Sequence, residues 1–244
     1  VGSNIANILL ILGIAAALAP VAVQRASFLR DGAVLVISAL MCLGAILYGR
    51  LSLPIGIVFL MALIAYVTFT VLQERGRAAP EAFGEADLPA QTGSLWKDLV
   101  FVAGGLVLTI LGARFLVTGA IDVAQVLGVS EAVIGLTIVA VGTSLPELVT
   151  TIAAARRGQA DIAFGNVVGS NIFNVLFILG ATATIHPIDV PATIAAFDIW
   201  IMLGATALLL AFSVSRWRIG RIEGWILLAA YAAYTGWLGY SAAI

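Results

Sequence analysis

Apolar residues run along the chain in eight long stretches, at about residues 5 to 20, 32 to 49, 54 to 73, 98 to 124, 131 to 155, 162 to 183, 193 to 214 and 223 to 243. Each approaches the ~20 residues that a helix needs to cross the hydrocarbon of a bilayer. The period-two alternation of strands is absent, and the stretches exceed the roughly 9 to 11 residues of a barrel strand. The pattern therefore predicts an all-α fold, a polytopic membrane helical bundle. Polar residues gather in the joints between stretches. Arg25 and Arg30 lie in the first joint, Arg75, Arg77 and Lys97 in the third, Arg156 and Arg157 in the fifth, and Arg216, Arg218 and Arg221 in the seventh. The second, fourth and sixth joints hold only Arg50. Basic residues mark the cytoplasmic side, so the odd joints are cytoplasmic. A missed or invented span would scramble that alternation. The first stretch does not read as a signal peptide, because neither an initiator Met nor a basic flank precedes it.

The third joint, residues 74 to 97, contains ERGRAAPEAFGEADLPAQTGS, whose Ala, Gly, Pro and acidic content reads as a flexible cytoplasmic linker. It is shorter than the ~50 residues of a small folded domain. The expected organisation is residues 1 to 73, the linker 74 to 97, and residues 98 to 244.

Composition agrees with the spans: 62% of the residues are hydrophobic, 10% are charged, and the mean hydropathy is +1.12. With 12 basic against 13 acidic residues and no basic cluster, nothing points to nucleic acid as a partner. Cys42 stands alone, which excludes an internal disulfide, a thiolate metal site and a redox pair; it reads as a small buried hydrophobe.

One sentence is written twice. VGSNIANILLILG at residues 1 to 13 returns as VGSNIFNVLFILG at residues 168 to 180, with every polar residue retained. Five spans separate the copies, so they cross the membrane in opposite directions and form an inverted repeat, a signature of many secondary transporters. In GLTIVAVGTSLPELVTTIAAA, residues 135 to 155, Glu147 sits near the centre of an apolar span, where a charge costs roughly 2.5 to 3.5 kcal/mol. Pro146 precedes it and cannot donate to the Gly142 carbonyl, so the helix should kink there. Freed carbonyls at membrane depth need another partner, and a cation is one such partner. Thr143 and Ser144 share the helix face of Glu147 by three- and four-residue spacing, and Ser170/Asn174 and Ser3/Asn7 are each four apart. Hydroxyl, amide and carboxylate oxygens of this kind suit hard cations such as Ca2+, which take about 6 to 8 oxygens. Soft-metal chemistry is disfavoured by the single His and the lone Cys.

Residues 141 to 180, VGTSLPELVTTIAAARRGQADIAFGNVVGSNIFNVLFILG, together with VGSNIANILLILG, resemble the alpha-repeats of the calcium/cation antiporter superfamily, nearest its prokaryotic sodium/calcium exchanger branch. The resemblance covers essentially the whole chain. It implies a ten-helix core of two inverted five-helix halves, of which eight helices are represented, residues 1 to 73 giving helices three to five and 98 to 244 giving helices six to ten. It further implies that the chain is an N-terminal truncation lacking the first two helices and a partner glutamate, so that the site as given is too incomplete to exchange ions. Carried over by position, the ion ligands fall on Thr143, Ser144, Glu147 and the Ala140 carbonyl, on Ser170 and Asn174, and on Ser3 and Asn7. Some relatives carry Asp where Asn174 stands. The TSLP spelling favours Na+ over H+ as the driving ion. The implied activity is antiport of Na+ for Ca2+ by alternating access in the prokaryotic plasma membrane, with the span from 98 to 124 as a sliding helix. The implied partners are these two ions and the lipid bilayer, with no cofactor and no obligatory protein partner. The other readings are H+- or K+-coupled exchange, a cation channel and a non-transporting membrane scaffold.

The remaining polar residues have plainer readings. Arg114 is a snorkelling or protein-facing arginine rather than a gate charge. Asp122 and Asp198 fall near span ends, in solvated or capping roles, and His186 is an outer-loop residue. Asn166 and Asn171 orient backbone, while Gly165 and Gly169 form a GxxxG for close helix packing.

Overall fold

The computed structural model describes residues 1–76, 95–129 and 131–242. Of the linker expected over 74 to 97, residues 77 to 94 lie outside the described residues. The eight apolar stretches appear as helices: α1 Gly2–Leu18, α2 Arg25–Leu47, α3 Leu53–Gly76, α4 Leu95–Val126, the broken pair α5 Gly135–Thr143 and α6 Leu145–Arg156, α7 Ala160–Ile185, α8 Ile194–Arg216 and α9 Arg221–Ala242. Among the described residues five helices are long and apolar enough to span a bilayer, or six with α5 and α6 taken as one bent span. The chain is an integral membrane helical bundle.

The break between α5 and α6 bends the chain by 52° at Ser144, whose ψ of 3° leaves the helical range. Pro146 sits in the first turn of α6, where its missing N–H has no helical partner to lose. The kink expected from Pro146 is thus a full restart of the helix.

Four two-residue strands tie the loops together. β1 (Val21–Ala22) pairs antiparallel with β4 (Arg218–Ile219), and β2 (Arg50–Leu51) pairs antiparallel with β3 (Ile188–Asp189). The first tie joins the first and seventh joints, and the second joins the second and sixth. Both pairings agree with the sidedness read from the basic residues. The 167-residue shift that carries Ser3 to Ser170 also carries β1 onto β3, so the two ties are inverted copies of one another.

Ile5, Ile8 and Leu12 of α1 pack with Ile172 and Leu176 of α7 in the centre of the bundle. Around it the outer helices approach through glycine. A Cβ on Gly56 of α3 would fall 2.6 Å from the Gly180 carbonyl of α7, and one on Gly224 of α9 would fall 2.9 Å from the Gly13 carbonyl of α1. In a bilayer, where lipid is as apolar as leucine, such close backbone approach is a main source of helix association.

Two expectations are corrected. Gly165 and Gly169 do not mediate close packing, because a Cβ on either would meet open space among the described residues. The motif points away from the packed seam, which is made by Gly13, Gly56, Gly180 and Gly224 instead. Asp198 is neither solvated nor a cap: it is 2% exposed, one turn inside α8, and its Oδ1 accepts a hydrogen bond from Tyr234 Oη at 2.9 Å. Asp122 and His186 are exposed, as read from the sequence, and Arg114 is exposed along α4.

Candidate cation site

The site forms where the broken pair α5–α6 meets the two GSN segments. Ending α5 at Thr143 frees carbonyls and hydroxyls from helical pairing. The Thr143 hydroxyl donates to the Ala140 carbonyl at 3.1 Å and lies 3.1 Å from Ser3 Oγ of α1. Ser144 is 3% exposed. Asn166 of α7 donates to the Glu147 backbone carbonyl at 3.2 Å and to Thr151 Oγ1 at 2.9 Å, fixing the first turn of α6. This is the orienting role expected of Asn166. The carboxylate itself is left available, for Glu147 Oε2 is buried without a hydrogen-bond partner.

Asparagines from the two repeats bridge to one another. Asn174 Nδ2 donates to Asn4 Oδ1 at 3.0 Å, and Asn4 Nδ2 donates to the Asn171 carbonyl at 3.2 Å. Asn171 Nδ2 in turn donates to the Val167 carbonyl of its own helix at 3.0 Å, again a backbone contact.

These groups enclose a cavity of about 260 Å3 lined by Ser3, Asn4, Thr143, Ser144, Glu147 and Asn174 with Val1, Ile178 and Leu179. A second cavity of about 380 Å3 shares Ser3 and Thr143, includes Ala140, and extends to Leu51, Ile188, Val190 and Pro191 beside the β2–β3 tie. The polar chamber thus adjoins a mostly apolar vestibule on the outer side. Of the eight positions singled out in the sequence, Ser3, Thr143, Ser144, Glu147 and Asn174 line the chamber, and Ala140 lines the vestibule while its carbonyl faces Thr143. Asn7 and Ser170 line neither. Asn7 is 1% exposed with both amide atoms unpartnered, and Ser170 lies one turn before Asn174, partly buried.

Sequence reasoning missed Asn4, which the retained GSN triplet could have signalled. It also missed the π-helical turns at Ala6–Leu12, Gly135–Val139 and Asn174–Leu179, which flank the chamber on all three helices. Such turns are rare and gather at functional sites.

Chemically the chamber offers one carboxylate, three hydroxyls and amide oxygens, with the Ala140 carbonyl at its border with the vestibule. No group of three His, Cys, Asp or Glu that could hold a metal ion occurs among the described residues. The donor set is all oxygen and weakly anionic, which suits hard cations that bind and leave.

Comparison with known proteins converges on one family. The family model for sodium/calcium exchanger protein matches residues 1–72 and 97–240. The putative antiporter CaxA of Alkalimonas amylolytica is 37% identical over 241 residues, covering 96% of this chain and 75% of that protein. The sodium/calcium exchanger MaX1 of Methanosarcina acetivorans is 41% identical over 142 residues, covering 58% of this chain and 41% of that one. A solved structure of the sodium-calcium exchanger NCX_Mj soaked with Na+ and Sr2+ superposes with a TM-score of 0.72 at 32% identity, covering 95% of this chain and 72% of that one. With the inverted repeat, the broken helix at GTSLPE and the all-oxygen chamber already in place, these matches carry the conclusion that the chain belongs to the sodium/calcium exchanger protein family of membrane transporters.

Proposed function

We propose that this chain carries the ion-exchanging core of an antiporter that moves Ca2+ against Na+ across a prokaryotic plasma membrane, with Glu147 as the charged ligand. The observation that carries the reading is the buried, unpartnered Glu147 Oε2 at the helix break, facing Ser3, Thr143, Ser144 and Asn174 in a chamber that adjoins the outer vestibule. A carboxylate in this position is costly when bare, and either Ca2+ or Na+ relieves it. Coupling follows from that cost: the empty site resists the transition between access states, so an ion leaving on one side is replaced before the site turns to the other. The hydroxyls of Thr143 and Ser144, the Ala140 carbonyl and the Asn174 amide oxygen supply neutral ligands beside the carboxylate. Na+ and Ca2+ are both hard cations served by such oxygens and differ chiefly in charge. The relatives named as sodium/calcium exchangers support Na+ as the driving ion.

The moving part is α4. Its outer surface is exposed along its length, and it meets α5 at Gly142, where an added Cβ would collide with the Val117 side chain. A smooth glycine contact against the ion-binding helix lets α4 slide and cover the chamber from alternate sides.

The test is Ca2+ uptake into proteoliposomes, by a protein that joins this chain to the two helices and partner glutamate implied by the family resemblance, under an outward Na+ gradient, an outward H+ gradient of equal size, or neither. Uptake driven by Na+ alone supports the reading. Uptake driven by the H+ gradient alone transfers the coupling to protons, and uptake that needs no counter-ion makes the protein a channel.

A further inference from the structure

The inverted repeat carries a second polar constellation outside the cation site. In the first half Asp31 Oδ1 on α2 accepts from Tyr66 Oη on α3 at 3.0 Å. In the second half Asp198 Oδ1 on α8 accepts from Tyr234 Oη on α9 at 2.9 Å. The pairs correspond: the shift that takes Ser3 to Ser170 takes Asp31 to Asp198, and the shift that takes Gly56 to Gly224 takes Tyr66 to Tyr234. Because the repeat is inverted, the first clamp lies toward the cytoplasmic end of the bundle and the second toward the outer end.

The copies differ in one decisive respect. Arg30 precedes Asp31 and holds its carboxylate through Nε at 2.7 Å and through Nη2 at 3.1 Å. The residue before Asp198 is Phe197, and among the described residues no Arg, Lys or His lies within ion-pair distance of Asp198. Asp31 is half-buried, whereas Asp198 is fully buried. The other titratable groups around the outer clamp are Tyr234 with Tyr231 behind it on α9, the Cys42 thiol on α2 and the Val1 amino group at the start of α1; of these only Tyr234 bonds to Asp198. The Tyr234 phenol and the backbone N–H of Asp198 together do not replace the hydration that a carboxylate loses inside a membrane bundle, and a buried charge with no Arg, Lys or His at ion-pair distance is the costliest state available to the group.

We propose that Asp198 is a proton-binding site: the outer carboxyl stands in the bundle as the neutral acid, while its inverted counterpart Asp31 remains a carboxylate held by Arg30. The proton comes from hydronium on the outer side, leaving water, and resides on Oδ2 while Oδ1 keeps the hydrogen bond from Tyr234. The duplicated clamp has thus been differentiated, one copy satisfied by a fixed cation and the other by an exchangeable one. Ile194, one turn before Asp198 on α8, lines the vestibule that leads to Ser3 and Thr143, so loss of this proton would place a bare charge beside the outer opening. The inference stands apart from the transport reading, because its readout is spectroscopic and needs no flux.

The experiment is infrared spectroscopy of the full chain in lipid nanodiscs at neutral pH, with carboxyl-13C aspartate to isolate aspartic acids from Glu147 and other glutamates. The expected result is a protonated-carboxyl C=O band that shifts with the isotope, disappears in Asp198→Asn and persists in Asp31→Asn. In Tyr234→Phe the same band should move to higher wavenumber, because its carbonyl has lost a hydrogen bond. Absence of the band from the wild type, or its survival in Asp198→Asn, overturns the proposal. If Asp198→Asn does not fold, Tyr234→Phe decides: an unmoved band refutes the assignment.

Discussion

Replacing Glu147 by Gln removes one negative charge and almost nothing else. The carboxylate Oε2 has no hydrogen-bond partner to lose, and the backbone carbonyl of Glu147 keeps its bond from Asn166 at 3.2 Å whatever the side chain. The variant should therefore fold, and in ion-free detergent it should be at least as stable as the wild type, since a buried bare charge has been deleted. Its ion chemistry should collapse. Truncating one partner of a buried charge pair costs about 2 to 5 kcal/mol, and at about 1.4 kcal/mol per decade the lower figure is already some thirty-fold in affinity. Two assays read this independently. Wild-type protein at a Ca2+ concentration of about 100 times Kd should gain about 2.7 kcal/mol of stability by mass action, seen as a rise in melting temperature, and Glu147→Gln at the same concentration should gain little or none. In vesicles, Na+-dependent Ca2+ uptake by the protein that also carries the two implied upstream helices should be lost. An unchanged Ca2+-dependent melting shift together with wild-type uptake would remove Glu147 from the site and take the proposed coupling with it.

Further outcomes follow from the packing and from the ties between joints. With Cys42→Ser as background, Gln159→Cys and His186→Cys should label from opposite sides of the membrane with an impermeant maleimide. Both residues are exposed, and Gln24 in the first joint hydrogen-bonds to Asp161 beside Gln159; labelling of both from one side would break the inverted topology. Gly56→Ala should cost about 1 to 3 kcal/mol of stability, since its methyl would press on the Gly180 carbonyl and on Thr184. Gly165→Ala, facing open space, should be neutral or gain up to about 1 kcal/mol from helix propensity, and equal thermal shifts for the two would refute the packing assignment. Asn4→Ala removes both inter-repeat amide bonds and should lower stability by about 2 kcal/mol and weaken Ca2+ binding in a titration, whereas unchanged binding would detach Asn4 from the chamber.

Much of the fold was legible because the bilayer writes a simple rule into the chain. Long apolar runs locate the helices, basic residues locate the joints, and Pro146 locates the break. The side-chain geometry was less legible, and the reason is local. The spacing argument placed Ser3 with Asn7 and Ser170 with Asn174 on common faces, which assumes an α-helical turn. The structure keeps Ala160–Phe173 α-helical and winds Ala6–Leu12 and Asn174–Leu179 as π-helix, so the α-helical spacing holds up to Asn174 and changes only beyond it. Each pair is split: Ser3 and Asn174 line the chamber, whereas Asn7 and Ser170 do not, so the two copies contribute opposite members of the same spacing. Hydropathy cannot register such a turn, because the apolar residues on either side remain apolar. Asp198 was misread for a related reason: position within a span says how deep a charge lies, but its direction is set by a tyrosine on another helix.

The retained polar letters of the two GSN copies have an explanation that neither copy contains alone. Asn174 of the second copy donates to Asn4 of the first, and Asn4 donates to the backbone at Asn171 of the second, so each copy supplies the other's hydrogen-bond partners across the pseudo-twofold. An unpaired amide at this depth is costly, so a polar change in one copy would strand its mate in the other. The pairing is nevertheless one-sided. The bond from Asn174 to Asn4 Oδ1 has a symmetry mate that would run from Asn7 to Asn171 Oδ1, and there both the Asn7 amide and Asn171 Oδ1 are unpartnered. Broken symmetry at the centre of an otherwise symmetric repeat leaves donors and acceptors unsatisfied beside the cation chamber.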